Sequence, residues 1–352
     1  MSEPIRAPAK RLLRVLAGEP VWPPPVWLMR QAGRYLPEYR AVRAGVNDFI
    51  ALATTPELAA EVTLQPIRRY RMDAAILFSD ILMVPWALGQ GLAYHEGEGP
   101  VLPPLRDAAG VAALQPERLI DRLAPVFETV RLVRQMLQSE GLGATGLIGF
   151  AGAPFTVACY MIEGGGSRDF AATRLMAFKE PELFARLLDI IGAATIAYLS
   201  AQIAAGAEAV MLFDSWSGVL SAGQFRAHVI QATRNIVDGL RQSCPGVPVI
   251  GFPRLAGMLV ADYVRATGVD AVGLDTGMDL ALVRSAMPSR VALQGNLDPI
   301  ALLAGGSAMA QEALSVLEAM RGWPCIFNLG HGIVPQTPPD HVGRLVELVR
   351  AG

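Results

Sequence analysis

Residues 74–80 read Ala-Ala-Ile-Leu-Phe-Ser-Asp. Five apolar residues run without a break and stop at a hydroxyl and a carboxylate. An apolar run of this length, with no polar alternation, marks a strand covered on both faces. The same unit recurs at Val26–Met29, Gly146–Phe150, Ala209–Phe213, Pro248–Phe252, Ala271–Leu274, Val291–Gln294 and Cys325–Asn328. With Ala74–Phe78 these make eight candidate strands. The segments between them carry helical signals. Thr55-Pro56-Glu57 is a start, with Pro56 at the first helical position and Thr55 as its cap. Leu123, Phe127, Val130, Val133 and Leu137 repeat near helical spacing, and Ile190–Ala205, Ala227–Leu240, Met258–Ala266 and Met309–Met320 are similar. Strands alternating with helices in this number predict an α/β fold, a single-domain (β/α)8 TIM barrel over residues 1–352, with a short N-terminal arm of about twenty residues. A doubly wound open sheet is the competing topology. Residues 85–104, rich in Gly and Pro, predict an excursion loop or hairpin.

Composition narrows the function. Of 352 residues, 52% are hydrophobic, which suffices for a large core, and the net charge of -2 gives no general attraction to nucleic acid or anionic membrane. Anion binding must therefore come from a local cluster. Cys159, Cys244 and Cys325 are scattered without a CxxC, which predicts a reducing compartment rather than a disulfide framework. The N-terminus has charges and prolines where a signal peptide needs an apolar block. Two uncharged runs, 141–162 and 190–207, are interrupted by Gly, Pro, Thr, Ser or Gln, unlike a membrane span of large apolar residues.

In a barrel of this kind the site lies at the carboxyl ends of the strands. After the first strand, Arg30 and Arg34 flank Gln31-Ala32-Gly33. Two guanidinium forks on a glycine-containing turn can clamp a carboxylate or phosphate. They can equally be solvated surface groups, in a chain whose only lysines are Lys10 and Lys179. Asp80 stands between two apolar runs, where a carboxylate is costly to bury unless paired. It has no second acid nearby of the kind a glycosidase needs, and a backbone cap is the alternative reading. His331 sits between Gly330 and Gly332, which allow a sharp turn and leave room for the imidazole. Tyr160 and Ser215 offer neutral hydroxyls, also common as ordinary buried or capping groups. Arg254 and Asp275 follow the fifth and sixth strands. Gly164-Gly165-Gly166-Ser167 lacks the phosphate-loop lysine and reads as a turn or lid.

Several blocks carry a resemblance. Trp27-Leu28-Met29-Arg30-Gln31-Ala32-Gly33-Arg34, followed by Tyr35-Leu36-Pro37-Glu38-Tyr39, resembles the N-terminal signature of the uroporphyrinogen decarboxylases. Gly149-Phe150-Ala151-Gly152-Ala153-Pro154-Phe155-Thr156 resembles their second signature. Phe78–Leu82, Phe213–Trp216, Gln294–Pro299 and Phe327–Gly332 also look like family blocks, in the family's order. The resemblance implies a cytoplasmic enzyme of haem biosynthesis. It would decarboxylate the acetate side chains of uroporphyrinogen III to coproporphyrinogen III, as a homodimer with no cofactor. It implies Asp80 facing the pyrrole N–H groups and Arg30 and Arg34 on substrate carboxylates, with Arg30 a candidate proton donor. Gln31, Ala32, Gly33, Tyr160, Ser215 and His331 would make further substrate contacts, and no metal or nucleic acid would be involved. Two other functions remain open: a barrel methyltransferase with a thiol-activating zinc, for which the His-x-Cys pair is missing at His331, and a non-catalytic tetrapyrrole carrier.

Overall fold

The computed structural model describes residues 10–46, 48–95 and 99–352. Most of the expected apolar runs are strands. They are β1 (Ala74–Ile76), β4 (Gly146–Gly152), β5 (Ala209–Asp214), β6 (Val249–Pro253), β7 (Ala271–Gly273), β8 (Ala292–Leu297) and β9 (Cys325–Leu329). These seven pair in parallel in the order β1-β4-β5-β6-β7-β8-β9. Between β1 and β4 an antiparallel pair, β2 (Ala93–His95) and β3 (Gly99–Val101), forms the hairpin expected over residues 85–104. Nearly every residue of the parallel strands is buried, as helices on the outer face and packed side chains within the curl require.

The eighth expected strand differs. Val26–Met29 is extended and buried, but its pairing is a single bridge, Val26 to Phe327 of β9. Trp27 N–H donates to Phe327 O and Phe327 N–H to Pro25 O. On its other side, Asp73 N–H donates to Val26 O just before β1. The segment thus touches both edges of the seven-stranded sheet without making a regular ladder with either. Inside the curl Trp27 Nε1–H donates to Gln294 Oε1 at 3.0 Å, so a fully buried indole and amide satisfy each other.

The amino end of the sheet is closed by the N-terminal arm. Its residues 1–9 lie outside the described residues, and Arg11–Leu16 is a helix with Leu12 and Val15 fully buried. Lys10 Nζ donates to Thr145 O at 2.7 Å and to Glu208 Oε2 at 2.6 Å, and Arg134 pairs with Glu208 Oε1 at 2.6 Å. One local expectation needs correction. Thr55 precedes the helix Pro56–Tyr70, but its hydroxyl donates backward to Ala51 O and caps nothing. The helix before it already presents that carbonyl. The helix Pro181–Ala205 is long and apolar enough to cross a membrane. Its buried Gln202 brackets the Phe150 backbone, accepting from N–H at 2.9 Å and donating to O at 3.0 Å, which makes it a core helix of this fold.

Candidate active site

The turn after the extended segment is built first by Gln31. Its amide accepts from Leu28 N–H at 3.1 Å and donates to Ala74 O at 3.0 Å, and its own carbonyl accepts from Tyr35 Oη at 2.9 Å. The Gln31 side chain is therefore occupied within the fold. The N–H groups of Ala32, Gly33 and Arg34 donate to no acceptor among the described residues. Arg30 itself has φ 60°, a left-handed conformation that non-glycine residues seldom adopt. Its side chain runs across Gly332, where a Cβ would lie 2.6 Å from Arg30 Cγ and overlap Cδ. A Cβ on Gly330 would strike the Thr276 backbone. Neither glycine has a positive φ. The expectation of a sharp glycine turn around His331 is corrected accordingly: both glycines serve close approach, one of them to Arg30.

Strand ends bring the other groups together. Asp80 follows β1, and its Oδ1 accepts from Leu82 N–H at 2.8 Å, so the backbone cap is present. Protein surrounds the carboxyl, yet part of the residue stays open to solvent, as at the base of a recess. Burial raises its pKa; the Leu82 N–H, Tyr94 and Arg30 oppose that. Tyr94, on β2, lies beside the carboxyl without completing a hydrogen bond, and its buried hydroxyl has no other partner among the described residues. Arg30 is exposed as a residue, with protein close around its side chain. Burial lowers its pKa, Asp80 and Tyr160 raise it, and Arg34 and Arg254 lower it. His331, after β9, is pushed down to about 4 by burial and then by Arg30 and Arg254, so its imidazole is neutral at pH 7. Tyr160, on the helix Pro154–Glu163, packs 6.3 Å from the Trp216 ring, and burial raises its hydroxyl pKa. Ser215 is half-buried directly after β5, and no side-chain hydrogen bond joins it to the other groups among the described residues.

Other strand-end acids are spent on the scaffold. Asp214 is 2% exposed; its Oδ1 accepts from Thr156 Oγ1 at 2.5 Å, its Oδ2 has no partner, and burial pushes it up to about 7. Asp275 accepts from Leu255 N–H at 2.8 Å and Gly277 N–H at 3.0 Å, and Asp298 caps the helix Pro299–Ala304. Gly164 ends the helix Pro154–Glu163 in a left-handed cap, so the Gly-rich stretch is a turn there.

Arg34, Asp80, Tyr160 and His331 thus each lie within electrostatic reach of Arg30 at the carboxyl end of the sheet. Sequence reasoning missed Tyr94 and gave Arg254 no role. Tyr94 sits in a Gly/Pro-rich excursion that carries no motif, and only the folded hairpin returns it to Asp80. The arrangement is one enclosed carboxylate beside arginines that make no ion pair or side-chain hydrogen bond to any described residue. No three His, Cys, Asp or Glu among the described residues stand close enough to hold a metal ion. Such a set can bind a polyanion and stabilise one positive charge within it.

Known proteins agree. A family model described as uroporphyrinogen decarboxylase (URO-D) matches residues 7–352. The chain is 59% identical over 347 residues to the uroporphyrinogen decarboxylase of Gluconacetobacter diazotrophicus, covering 97% of this chain and 98% of that one. It is 60% identical over 341 residues to that of Granulibacter bethesdensis, covering 97% and 99%. Among solved structures, a methyltransferase from Methanosarcina mazei superposes with a TM-score of 0.75 at 20% identity, covering 97% of each chain. A B12-independent methionine synthase from Shewanella sp. W3-18-1 reaches 0.54 at 10% identity, covering 87% and 89%; at such identities the likeness is one of fold. The match over nearly the whole length decides the function: the chain belongs to the uroporphyrinogen decarboxylase family, carboxy-lyases of haem biosynthesis.

Proposed function

We propose that Asp80 carries the family's reaction here, the decarboxylation of the four acetate side chains of uroporphyrinogen III to give coproporphyrinogen III. The observation that supports this most is an enclosed carboxylate within electrostatic reach of Arg30 and Tyr160, with no second acid paired to it among the described residues. Loss of carbon dioxide from an acetate leaves an electron pair on its methylene carbon. A pyrrole ring protonated on carbon accepts that pair as the C–C bond breaks. Protonation of the resulting exocyclic carbon and loss of the ring proton leave a methyl group, so one proton replaces each carbon dioxide. Asp80 accepts from the pyrrole N–H groups and stabilises the cationic ring, a charge aimed at charge that develops. Arg30 and Arg34, with the N–H groups of Ala32, Gly33 and Arg34 that have no acceptor among the described residues, hold side-chain carboxylates, and Arg30 is the candidate proton donor. Tyr160, Ser215 and neutral His331 contribute hydrogen bonds.

The remaining parts of the reading are a closed eight-stranded barrel, with Val26–Met29 as its closing strand, and a cytoplasmic homodimer. It acts on the tetrapyrrole without nucleic acid, membrane, metal or organic cofactor. The bonds from Val26–Met29 to both sheet edges support closure. Against the thiol-activating methyltransferase, Cys325 is fully buried and burial raises its thiol to about 12. Anaerobic incubation of the purified protein with uroporphyrinogen, followed by product chromatography, tests the activity and separates it from a passive carrier. Stoichiometric zinc, with turnover lost on its removal, would overturn the metal-free reading.

A further inference from the structure

We infer that Arg254 is a third carboxylate-binding guanidinium of this site, meeting the substrate from the wall opposite Arg30 and Arg34. Arg254 follows β6, the central strand of the seven. Arg30 follows the extended segment that bonds to β9 and to Asp73, at the two sheet edges. In a sheet curled until its edges approach one segment, the central strand is the far wall. Arg254 nevertheless lies within electrostatic reach of both Arg30 and His331, whose charged forms it disfavours. Its guanidinium makes no hydrogen bond or ion pair to any described residue, although the residue is half-buried. A half-buried cation close to other arginines, with no ion pair among the described residues, suits a ligand bearing several carboxylates.

The backbone under Arg254 is held unusually firmly. Its N–H donates to Asp214 O at 3.1 Å, its carbonyl accepts from Ser217 Oγ at 2.9 Å, and the next N–H, of Leu255, donates to Asp275 Oδ2 at 2.8 Å. Leu255 has φ 61° while its side chain is 54% exposed, so core packing does not account for that conformation. Among the described residues four non-glycine residues have such a φ. Arg71 and Phe170 stand at helix ends, and Arg30 and Leu255 stand in the two arginine turns. Strain of this kind persists where the surroundings over-determine the backbone, and it gathers at ligand clamps.

This inference rests on the site proposed above, and Arg34→Ala serves as its control. Steady-state turnover of uroporphyrinogen is measured anaerobically for Arg254→Ala and Arg254→Lys, beside thermal unfolding. Arg254→Ala should raise KM by about tenfold, the scale of one charge-assisted hydrogen bond, with a smaller effect on kcat. Arg254→Lys should recover part of that, and added salt should weaken the parent more than the Ala variant. A KM within twofold of the parent for Arg254→Ala, with Arg34→Ala impaired, overturns the inference and leaves the site standing. If both variants behave as the parent, the site itself falls and the inference with it. Should Arg254→Ala not fold, Arg254→Met keeps the stem without the charge: a raised KM supports the inference, and the parent's KM overturns it.

Discussion

The two ends of the parallel sheet treat their charges in opposite ways. At the amino end, Lys10 and Arg134 converge on Glu208, which also accepts from Leu147 N–H at 3.1 Å. At the carboxyl end, Arg30 has Arg34, Arg254 and the enclosed Asp80 carboxyl within electrostatic reach, and none of the three arginines makes an ion pair among the described residues. Matched charge at one end ties the arm Lys10–Leu16 to the strands. The arginines at the other end make no ion pair among the described residues, and in the function proposed above substrate carboxylates match them. The same residue types therefore mean structure below and recognition above.

The largest expected effect is at Asp80. Asp80→Asn should cut turnover by roughly two to three orders of magnitude, the cost of losing a preorganised electrostatic group. It should still fold, with a thermal midpoint no lower than the parent's. Burial raises the Asp80 pKa in the folded state, so the ionised carboxyl burdens the folded parent at pH above that value. The stability advantage of the Asn variant should thus grow as pH rises above the ordinary aspartate pKa, be full above the raised folded-state pKa, and vanish as pH falls below the ordinary aspartate range. An Asn variant turning over within a few-fold of the parent, or one that does not fold, removes Asp80 from the chemistry.

Arg30→Ala and Arg34→Ala should each lower kcat/KM by roughly ten- to a hundredfold, the span of a hydrogen bond to a charged group. The lysine variants should recover only part, because the bidentate fork is lost. Equal activity for Arg34→Ala, Arg34→Lys and the parent would return Arg34 to the solvated surface. Gly332→Ala probes the same contrast indirectly. The new methyl must displace the Arg30 stem, a flexible side chain, so the protein should fold while kcat/KM falls roughly tenfold from misplacement. Circular dichroism beside kinetics checks both halves.

The smallest effect on activity belongs at the other end. Glu208→Gln should leave kcat/KM unchanged while costing about 1–2 kcal/mol of stability, since the network is partly solvent-screened. Burial pushes the Glu208 pKa up, but the bonds from Lys10 and Arg134 outweigh it and hold the carboxyl below its usual value. Its contribution is therefore present above the ordinary glutamate pKa and lost as pH falls through the lower folded value. Chemical denaturation of parent and variant across that window tests the sign; impaired turnover in Glu208→Gln would break the division between the two ends.

Much of this division was legible in the residues. Uninterrupted apolar runs located β1 and β4–β9, because burial on both faces removes polar alternation. Val26–Met29 has the same composition, yet composition does not say whether a strand will find a full ladder on each side. Thr55 has the right chemistry for a cap, but a carbonyl one turn back captured its hydroxyl. At the site, Arg30, Arg34 and Asp80 were visible from their positions after apolar runs and from the family blocks. Tyr94 was not, since only the fold carries a hairpin residue back to a strand end. How Asp80, Asp214, Asp275 and Asp298 are engaged was equally hidden in the chain, because that depends on the backbone N–H groups and the Thr156 hydroxyl that the fold brings to each carboxylate.

The unpartnered arginines also bear on how the protein survives between catalytic cycles. Like charges held together in a recess repel, and the folded form bears that cost while the unfolded chain does not. A ligand bearing several carboxylates relieves it only when bound, so substrate or product acts as a mass-action stabiliser by RT ln(1 + [L]/Kd). At about a hundred times Kd that amounts to about 2.7 kcal/mol. The resting protein should accordingly be the form that proteases cut, and a cell rich in porphyrinogen should retain more of it than a starved one. Protease half-life measured with and without coproporphyrinogen, in parent and Arg30→Ala, would register this as protection that shrinks when the guanidinium is gone.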